Sequence, residues 1–339
     1  KGEYGMADLK PQPQVAVLGG GAWGTALACV LAQQHASVTL WANEVETVSA
    51  INQNHENRQF LPGIRLPVAI RATDDLADMA NADIILMVVP AQFARPVLTQ
   101  LAQHNKNAVL VLCAKGIERD SLKLMSELAA ETWPRPKIAV LSGPSFAADV
   151  ARGLPTAVTM AVSDDALGDY LARQIGTAHF RPYLSDDIIG AEIGGAIKNV
   201  LAIACGIVAG KGLGESARAA VTARGFSEMS RLGAALGAQV ETLGGLSGLG
   251  DLILTCSSTQ SRNFSLGHEL GRGADADSVL AERKSISEGA MSAAAVDQLA
   301  DKLKLDMPIC RAVNAIVSGA VGVDDAIAEL LARPITREN

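Results

Sequence analysis

Lys198 stands in the setting that most strongly suggests chemistry, an almost unbroken apolar stretch from Gly190 to Gly210. Glu192 and Lys198 are the charged residues of that stretch. A lysine among apolar side chains has little water around it, and desolvation disfavours its charged form. A lysine whose pKa is brought towards neutrality can remove a proton from a hydroxyl group. The sequence therefore predicts that Lys198 is a proton acceptor.

The same stretch has a second interpretation as a membrane-spanning helix. Each of its two charges would then cost about 2.5–3.5 kcal/mol on insertion scales. Gly194, Gly195 and Gly206 suit close packing inside a protein equally well. We therefore favour a buried helix of a globular protein over a membrane span.

The composition indicates the broad class of the protein. At 339 residues the chain exceeds the length at which one hydrophobic core usually suffices, which predicts two domains. A charged fraction of 19% and an apolar fraction of 49% are typical of a well-buried globular protein. The net charge of −7 and the lack of a long basic run argue against nucleic acids and anionic membranes as main partners.

The cysteines predict a reducing, cytoplasmic location. They are scattered, with no paired spacing, and most lie among apolar neighbours, as reduced and buried thiols do. The five are Cys29, Cys113, Cys205, Cys256 and Cys310. The polar stretch before Gln14 lacks the apolar core of a signal peptide. Lys1–Gly5, ahead of Met6, is given no function, and the histidine spacing predicts no metal site.

Short apolar runs alternate with helical patterns in the first half of the chain. The helical patterns include Thr25–Gln34 and Ser121–Ala130. The alternation indicates a parallel sheet with helices on both faces, an α/β fold of the doubly wound Rossmann type. The runs interpreted as strands are Val15–Leu18, Val38–Trp41, Ile84–Val89, Val109–Cys113 and Ile138–Leu141, with Pro155–Val162 and His179–Tyr183 as further candidates.

From about Asp186 onward the strand signals end and alanine and leucine dominate. Ala217–Leu236 and Asp324–Leu331 are predicted helices. A long helix from about Asp186 is expected to begin a second, all-helical domain and to lie against the cleft between the two domains. The predicted parts are an N-terminal tail at residues 1–13, a Rossmann-type domain at 14–186 and a helical domain at 187–335.

A glycine-rich motif follows the first predicted strand. Gly19, Gly21 and Gly24 form the pattern G-x-G-x-x-G between a strand and a helix. The first glycine permits a tight turn, the second lets backbone N–H groups approach a pyrophosphate, and the third lets the helix lie close to the strand. A glycine-rich turn without a ligand is the alternative, but this context favours a dinucleotide.

The end of the second strand bears on which dinucleotide binds. An NAD site usually has Asp or Glu there to bind the ribose hydroxyls. This chain has Asn43, followed by Glu44 at the expected start of the next helix, and no arginine for a 2′-phosphate. The site therefore predicts NADP or NAD, with a lean towards NADP because the strand end lacks a carboxylate.

Further polar motifs follow other strands and break the helical half. Lys115 is expected at the carboxyl end of a strand, the edge where open α/β sheets bind ligands. Ser145 is a candidate cap of the next helix. In the helical half, Asp251 lies among apolar residues and needs a cationic partner, for which lysine is the natural choice. Ser261-Arg262-Asn263 at a helix start can bind an anion. Each motif alone also suits an ordinary turn or cap.

Taken together, these motifs resemble those of NAD(P)-dependent glycerol-3-phosphate dehydrogenases, with the bacterial soluble form looking most similar. The likeness runs from about Val15 to Leu331. The motifs that carry it are Gly19-x-Gly21-x-x-Gly24, Lys115-Gly116, Ser142-Gly143-Pro144-Ser145-Phe146-Ala147, Lys198-Asn199-Val200, Gly248-Leu249-Gly250-Asp251-Leu252 and Ser261-Arg262-Asn263.

The resemblance implies a set of roles. The expected catalytic residues are Lys198, Lys115, Asn199 and Asp251. The expected substrate contacts are Lys115, Gly143, Ser145, Lys198, Asp251, Ser261, Arg262 and Asn263. With the glycine motif, the expected cofactor contacts are Gly19, Gly21, Ala22, Trp23, Gly24, Asn43, Lys115, Ala147, Arg262, Ile286 and Glu288.

The implied reaction moves a hydride between the nicotinamide and C2 of glycerol 3-phosphate or dihydroxyacetone phosphate, supplying glycerol 3-phosphate for phospholipid synthesis. Lys198 exchanges the hydroxyl proton, and Lys115 lowers the pKa of Lys198 by repulsion. Asn199 and Asp251 are expected to orient the Lys198 amine, with Thr255 assisting. A homodimer is compatible with this much apolar helix.

Two other functions stay open at this point. Related two-domain dehydrogenases that act on 3-hydroxy acids or 6-phosphogluconate also place lysine and asparagine on the first long helix. A non-catalytic redox sensor that binds the dinucleotide would explain the glycine motif but would leave Lys198 without a purpose.

Overall fold

The computed structural model describes residues 10–134, 137–282 and 287–334. Its first half contains a mostly parallel sheet flanked by helices, and its second half is helical, which confirms the predicted fold class. The strands are β1 (Val15–Leu18), β2 (Val38–Trp41), β3 (Glu56–Asn57), β4 (Leu61–Arg65), β5 (Ile70–Thr73), β6 (Ile84–Met87), β7 (Val109–Leu112), β8 (Lys137–Ser142), β9 (Thr156–Ala161) and β10 (Phe180–Ser185).

Eight of these strands form one sheet in the order β10-β9-β8-β7-β6-β1-β2-β5, and β3 pairs with β4 in a separate hairpin. The strands from β5 to β8 run parallel. Chain order reverses on either side of β1, because β2 lies on one side and β6 on the other. In such sheets ligands bind outside the carboxyl ends of the strands at the reversal point. The fold therefore places a binding crevice beside the end of β1.

The helices of this half cover the sheet on both faces. They are α1 (Ala22–Leu31), α2 (Val45–Asn54), α3 (Ala91–Leu101), α4 (Met125–Thr132), α5 (Ala147–Ala151) and α6 (Asp165–Ile175). The central strands β1, β6 and β7 are buried along their whole length. Strands covered on both faces are apolar throughout, and that is why their sequence signal was clear.

The structure corrects the sheet in two respects. The two further candidate strands are present as β9 and β10, but β9 runs antiparallel to β8. The connection between β8 and β9 contains only the five-residue helix α5, about 7.5 Å long. This helix is too short to return the chain to the other end of the sheet, as a parallel strand would require. Strand β5 was not predicted, because Arg71 and Thr73 interrupt its apolar pattern at the sheet edge.

The second half is built around one long helix, α7 (Ile188–Gly210). The side chain of Asp187 caps it by accepting a hydrogen bond of 2.8 Å from the Gly190 N–H. The remaining helices are α8 (Glu215–Leu236), α9 (Val240–Gly244), α10 (Asp251–Cys256), α11 (Arg262–Gly271), α12 (Ala276–Glu282), α13 (Glu288–Leu303), α14 (Pro308–Val317) and α15 (Val323–Leu331). A π-helical turn, Leu246–Gly250, leads into α10.

Helix α7 is long and apolar enough to cross a membrane by length and composition, and 83% of its apolar window is buried inside the protein. Its neighbours approach to backbone contact. A Cβ on Gly206 would lie 2.1 Å from the Phe264 carbonyl oxygen, and one on Gly267 would lie 2.0 Å from that of Ile203. The apolar surface of α7 is therefore accounted for by packing, and this packing sets α11 at a fixed position beside it.

Candidate active site

A cleft of about 770 Å³ lies where the carboxyl edge of the sheet meets the helical half. Its walls include the glycine-rich turn after β1, the segment after β7, and the starts of α10 and α11. Both halves of the chain therefore contribute to one site.

The glycine-rich turn has the shape that a pyrophosphate requires. Gly19 has a φ of +129°, which favours glycine. A Cβ on Gly24 would lie 1.9 Å from the Gly19 carbonyl oxygen, so only glycine allows α1 to begin there. A Cβ on Gly21 would meet nothing within 4 Å, which leaves this side of the turn open to the cleft. The buried indole Nε1 of Trp23, in the cleft wall, has no hydrogen-bond partner among the described residues. These features fit a dinucleotide.

Two lysines and one carboxylate form the charged centre of the cleft. Lys198 Nζ donates to Asp251 Oδ1 at 2.7 Å, and Lys115 Nζ donates to Asp251 Oδ2 at 2.8 Å. Lys198 Nζ also donates to Thr255 Oγ1 at 3.0 Å. The side chain of Asp251 is 1% exposed, that of Lys198 9% and that of Lys115 11%. The sequence predicted one lysine as the partner of Asp251, and the structure has two.

Burial lowers the pKa of Lys198 from 10.5 to about 8. The Asp251 carboxylate acts in the opposite direction, and repulsion from Lys115 adds to the lowering. Burial would raise the pKa of Asp251, but Lys115 and Lys198 outweigh it and hold that pKa below its usual range. Near neutral pH the centre therefore contains an ionised carboxylate and an amine that can gain or lose a proton.

Small residues on α7 allow this centre to assemble. A Cβ on Gly194 would lie 2.3 Å from the Ser247 carbonyl oxygen in the π-helical turn, which presents Asp251 as the first residue of α10. A Cβ on Gly195 would lie 2.9 Å from Ser142 Oγ and 3.3 Å from Cγ of Lys115. Glycine at these two positions lets the segments that carry Asp251 and Lys115 come close to α7.

The contacts of Asn199 differ from those expected. Its Nδ2 donates to the Lys115 carbonyl oxygen at 3.4 Å, and its Oδ1 accepts from Asn263 Nδ2 at 2.9 Å. The Gly289 N–H in turn donates to Asn263 Oδ1 at 3.1 Å. The structure records no hydrogen bond between Asn199 and the Lys198 amine. Asn199 is the next residue on α7 after Lys198, and its side chain points to the Lys115 backbone instead. Asn199 therefore contacts the Lys115 segment, and Asp251 and Thr255 contact the Lys198 amine.

The start of α11 forms the end of the cleft suited to an anion. Ser261 caps the helix, since its Oγ accepts a hydrogen bond of 3.2 Å from the Phe264 N–H. Arg262 follows in the cleft wall, to which Glu288 also contributes. Burial raises the pKa of Glu288, while Arg262, Lys115 and Lys198 oppose the rise. The helix N-terminus and the guanidinium together favour a phosphate at this end.

Most of the predicted site residues line this one cleft. They are Gly19, Gly21, Ala22, Trp23, Gly24, Asn43, Lys115, Ser145, Ala147, Lys198, Asn199, Asp251, Ser261, Arg262, Asn263 and Glu288. Gly143 does not line the cleft, but its carbonyl oxygen accepts a hydrogen bond from Lys115 Nζ at 3.3 Å. Ser145 does not cap α5, because its Oγ donates to that same carbonyl oxygen. Ile286 lies outside the described residues.

The sequence analysis missed one wall of the cleft. Gln59, Phe60, Leu61 and Pro62, from the β3–β4 hairpin, line the cleft together with the glycine-rich turn. The first strand of the hairpin has only two polar residues, and Pro62 and Gly63 interrupt the second, so no apolar period marks this segment. Among the described residues, no group of three or more His, Cys, Asp or Glu side chains could hold a metal ion.

Two family models match most of the chain. Residues 14–168 match the family described as NAD-dependent glycerol-3-phosphate dehydrogenase N-terminus, and residues 187–328 match the C-terminus of the same family. Proteins from Parvibaculum lavamentivorans and Caulobacter vibrioides, both named glycerol-3-phosphate dehydrogenase, NAD(P)+, are each 58% identical to this chain over 326 residues. The match covers 96% of this chain and 98% of each relative.

A similar solved structure is the crystal structure of glycerol-3-phosphate dehydrogenase from Coxiella burnetii. It is 37% identical in sequence, with a TM-score of 0.91, and the match covers 95% of this chain and 99% of that one. The doubly wound sheet, the glycine-rich turn and the buried lysine define the class of dinucleotide-dependent dehydrogenases. Within that class, the chain belongs to the NAD-dependent glycerol-3-phosphate dehydrogenase family.

The charged centre predicts a large stability cost for the variant Asp251→Asn. The substitution leaves two buried lysines without a counter-ion, and breaking a buried ion pair costs about 3–5 kcal/mol. We expect the free energy of unfolding to fall by about that amount in urea denaturation. Asp301→Asn is the matched control, because Asp301 forms a surface pair with Arg311 and is 68% exposed. It should change stability by less than about 1 kcal/mol. Equal effects of the two variants would contradict the shared ion pair.

Proposed function

We propose that the chain catalyses the reversible interconversion of glycerol 3-phosphate and dihydroxyacetone phosphate with NAD or NADP. The observation that carries this proposal is the placement of the Lys198 amine, held by Asp251 and Thr255, in the same cleft as the glycine-rich turn. The names and the coverage of the family's members support the choice of substrate.

Lys198 moves the proton of the reaction. When bound, the dinucleotide supplies the hydride acceptor or donor. In oxidation the C2 hydroxyl gives its proton to the neutral Lys198 amine as the C2 hydrogen leaves with its electron pair, and a C2 carbonyl forms. In reduction the Lys198 ammonium returns the proton to the C2 oxygen. An ammonium group has three N–H donors, and Asp251 and Thr255 accept two of them, which leaves one for the C2 oxygen.

Arg262 and the start of α11 hold the phosphate group of the substrate. Arginine forms strong, paired hydrogen bonds with phosphate, and the helix N-terminus adds N–H donors and partial positive charge. Ser261 fixes the start of this helix by capping it. Binding energy from the non-reacting phosphate then keeps C2 in line with the reacting atoms.

The residues at the end of β2 do not distinguish NAD from NADP. Asn43 and Glu44 line the cleft there. The sequence leaned towards NADP because this strand end lacked a carboxylate, whereas Glu44 lies in the cleft wall. Among the described cleft residues the cations are Lys115, Lys198 and Arg262, and none of them follows β2. Because Glu44 provides a carboxylate near the end of β2, the cleft residues do not favour NADP over NAD, and either cofactor fits.

The wider assignments belong to the same proposal. A supply of glycerol 3-phosphate for phospholipid synthesis follows from the reduction direction. A cytoplasmic location is supported by the cysteines, all of which are free and buried. The division into units 14–186 and 187–335 is supported by the end of β10 at Ser185 and the start of α7 at Ile188. A homodimer remains a prediction that sedimentation analysis would check.

An absorbance assay at 340 nm with dihydroxyacetone phosphate, run separately with NADH and NADPH, tests the proposed function. The wild type should turn over, and Lys198→Ala should lower kcat by about 10²–10⁴-fold, the usual contribution of general acid–base catalysis. Dinucleotide affinity should stay within about twofold, because Lys198 serves the proton and not the cofactor. Lys211→Ala is the matched control, since Lys211 follows the same helix and pairs with Asp324 at the surface.

Unimpaired turnover in Lys198→Ala would remove the catalytic assignment. A wild type that binds NADH without reducing dihydroxyacetone phosphate would instead support the redox-sensor function.

The variant Arg262→Ala distinguishes a phosphorylated substrate from an unphosphorylated hydroxy acid. Losing a charged hydrogen bond costs about 1.5–3 kcal/mol, so KM for dihydroxyacetone phosphate should rise about 10–100-fold. KM for unphosphorylated dihydroxyacetone should barely change. Arg272→Ala, just beyond the far end of α11, is the control and should leave both constants unchanged. Parallel increases for the two substrates would favour the hydroxy-acid alternative.

A further inference from the structure

Asn57 lies in the hairpin that forms the unpredicted wall of the cleft. Its side chain is completely buried, with 0% exposure. It ends β3, and Gln59 to Pro62, which follow closely in the chain, line the cleft together with the glycine-rich turn. Asn57 is thus a buried polar residue next to the site.

The amide of Asn57 joins the hairpin to the glycine-rich turn. Its Nδ2 donates to the Gly20 carbonyl oxygen and to Thr25 Oγ1, each at 2.8 Å. Its Oδ1 accepts from the Phe60 N–H at 3.1 Å. A primary amide has two N–H donors beside a carbonyl acceptor, and here both donors and the acceptor are engaged. Aspartate has no N–H donors and cannot reproduce this set.

The bond to Gly20 determines where the next N–H points. The described peptide bonds are all trans, and in a trans peptide the C=O and N–H groups point in opposite directions. Because Asn57 holds the Gly20 carbonyl on the buried side of the turn, the Gly21 N–H is turned the other way. Gly21 lines the cleft, and the space beside its Cα is open, since a Cβ there would meet no atom within 4 Å. An N–H group turned away from the buried Asn57 amide is therefore available to a ligand in the cleft.

We propose that Asn57 is a positioning residue for the dinucleotide, which it serves by turning the Gly21 N–H towards the pyrophosphate and by fixing Gln59–Pro62 as a wall of the cleft. This inference rests on the proposed function, because it assigns the pyrophosphate to the glycine-rich turn. Asn57 acts through Gly21 and the hairpin and does not itself line the cleft.

Two further hydrogen bonds hold the hairpin together without involving Asn57. The Gly63 N–H donates to Glu56 Oε1 at 3.1 Å, and the Leu66 N–H donates to the His55 carbonyl oxygen at 2.8 Å. Loss of the Asn57 amide should therefore loosen the glycine-rich turn while the hairpin keeps its pairing. This separation makes a change in cofactor binding distinguishable from a loss of fold.

The test compares Asn57→Asp with Asn52→Asp. Asn52 is the matched control, because its amide also pairs with backbone, donating to and accepting from Ala72 at 2.9 Å, but it does not line the cleft. Binding is measured by fluorescence titration with NADH and by calorimetry with ADP-ribose, which contains the pyrophosphate without the nicotinamide. Asn57→Ser is a second variant with a smaller, uncharged side chain.

For both Asn57 variants we expect Kd for NADH and for ADP-ribose to rise about tenfold or more, in line with the loss of hydrogen bonds that orient a binding group. At saturating NADH, kcat and KM for dihydroxyacetone phosphate should change much less than Kd for the two probes. Asn52→Asp should bind both probes like the wild type.

Wild-type affinity in both Asn57 variants would overturn the inference while leaving the proposed function intact. A fall in kcat and Tm together with a rise in KM would also overturn the inference, because it would show a purely structural role. A wild type that binds neither NADH nor ADP-ribose would contradict the proposed function itself.

Discussion

One buried carboxylate, that of Asp251, holds two lysines from different halves of the chain, and the cleft depends on this shared interaction. Burial is the largest influence on the pKa of Lys198 and lowers it, whereas the Asp251 carboxylate raises it. Lys115 occupies the other carboxylate oxygen and adds to the lowering by repulsion. The resulting pKa of about 8 lets the Lys198 amine both accept and return a proton near neutral pH.

The same interaction joins the sheet to the helical half. Lys115 follows a strand, whereas Lys198 and Asp251 belong to helices, so the ion pairs hold the two walls of the cleft together. Close packing along α7 supports this contact, because glycines at the crossing points let the π-helical turn and α11 approach the backbone. The glycine-rich turn and Arg262 consequently lie on the same cleft as the amine.

Much of this arrangement is visible in the sequence where local pattern decides structure. Strands β1 and β7 are apolar throughout because both faces are buried, and Lys198 stands out because it interrupts an apolar helix. Features set by contacts between distant residues were not visible. Asn57 lies in a polar segment, and its role exists only because the hairpin folds against Gly20. The reversal of β9 and the bond from Asn199 to the Lys115 backbone likewise depend on tertiary packing.

The pH dependence of kcat for glycerol 3-phosphate oxidation, at saturating cofactor, tests the central claim most directly. Oxidation needs the neutral Lys198 amine, which is populated above its pKa, so kcat should rise with pH through an inflection near pH 8 and then level off. The reduction of dihydroxyacetone phosphate should show the opposite trend and decline through the same inflection. A rate of oxidation that is independent of pH between about pH 6 and about pH 10 would contradict the account, since it would show that no lysine of lowered pKa takes the proton.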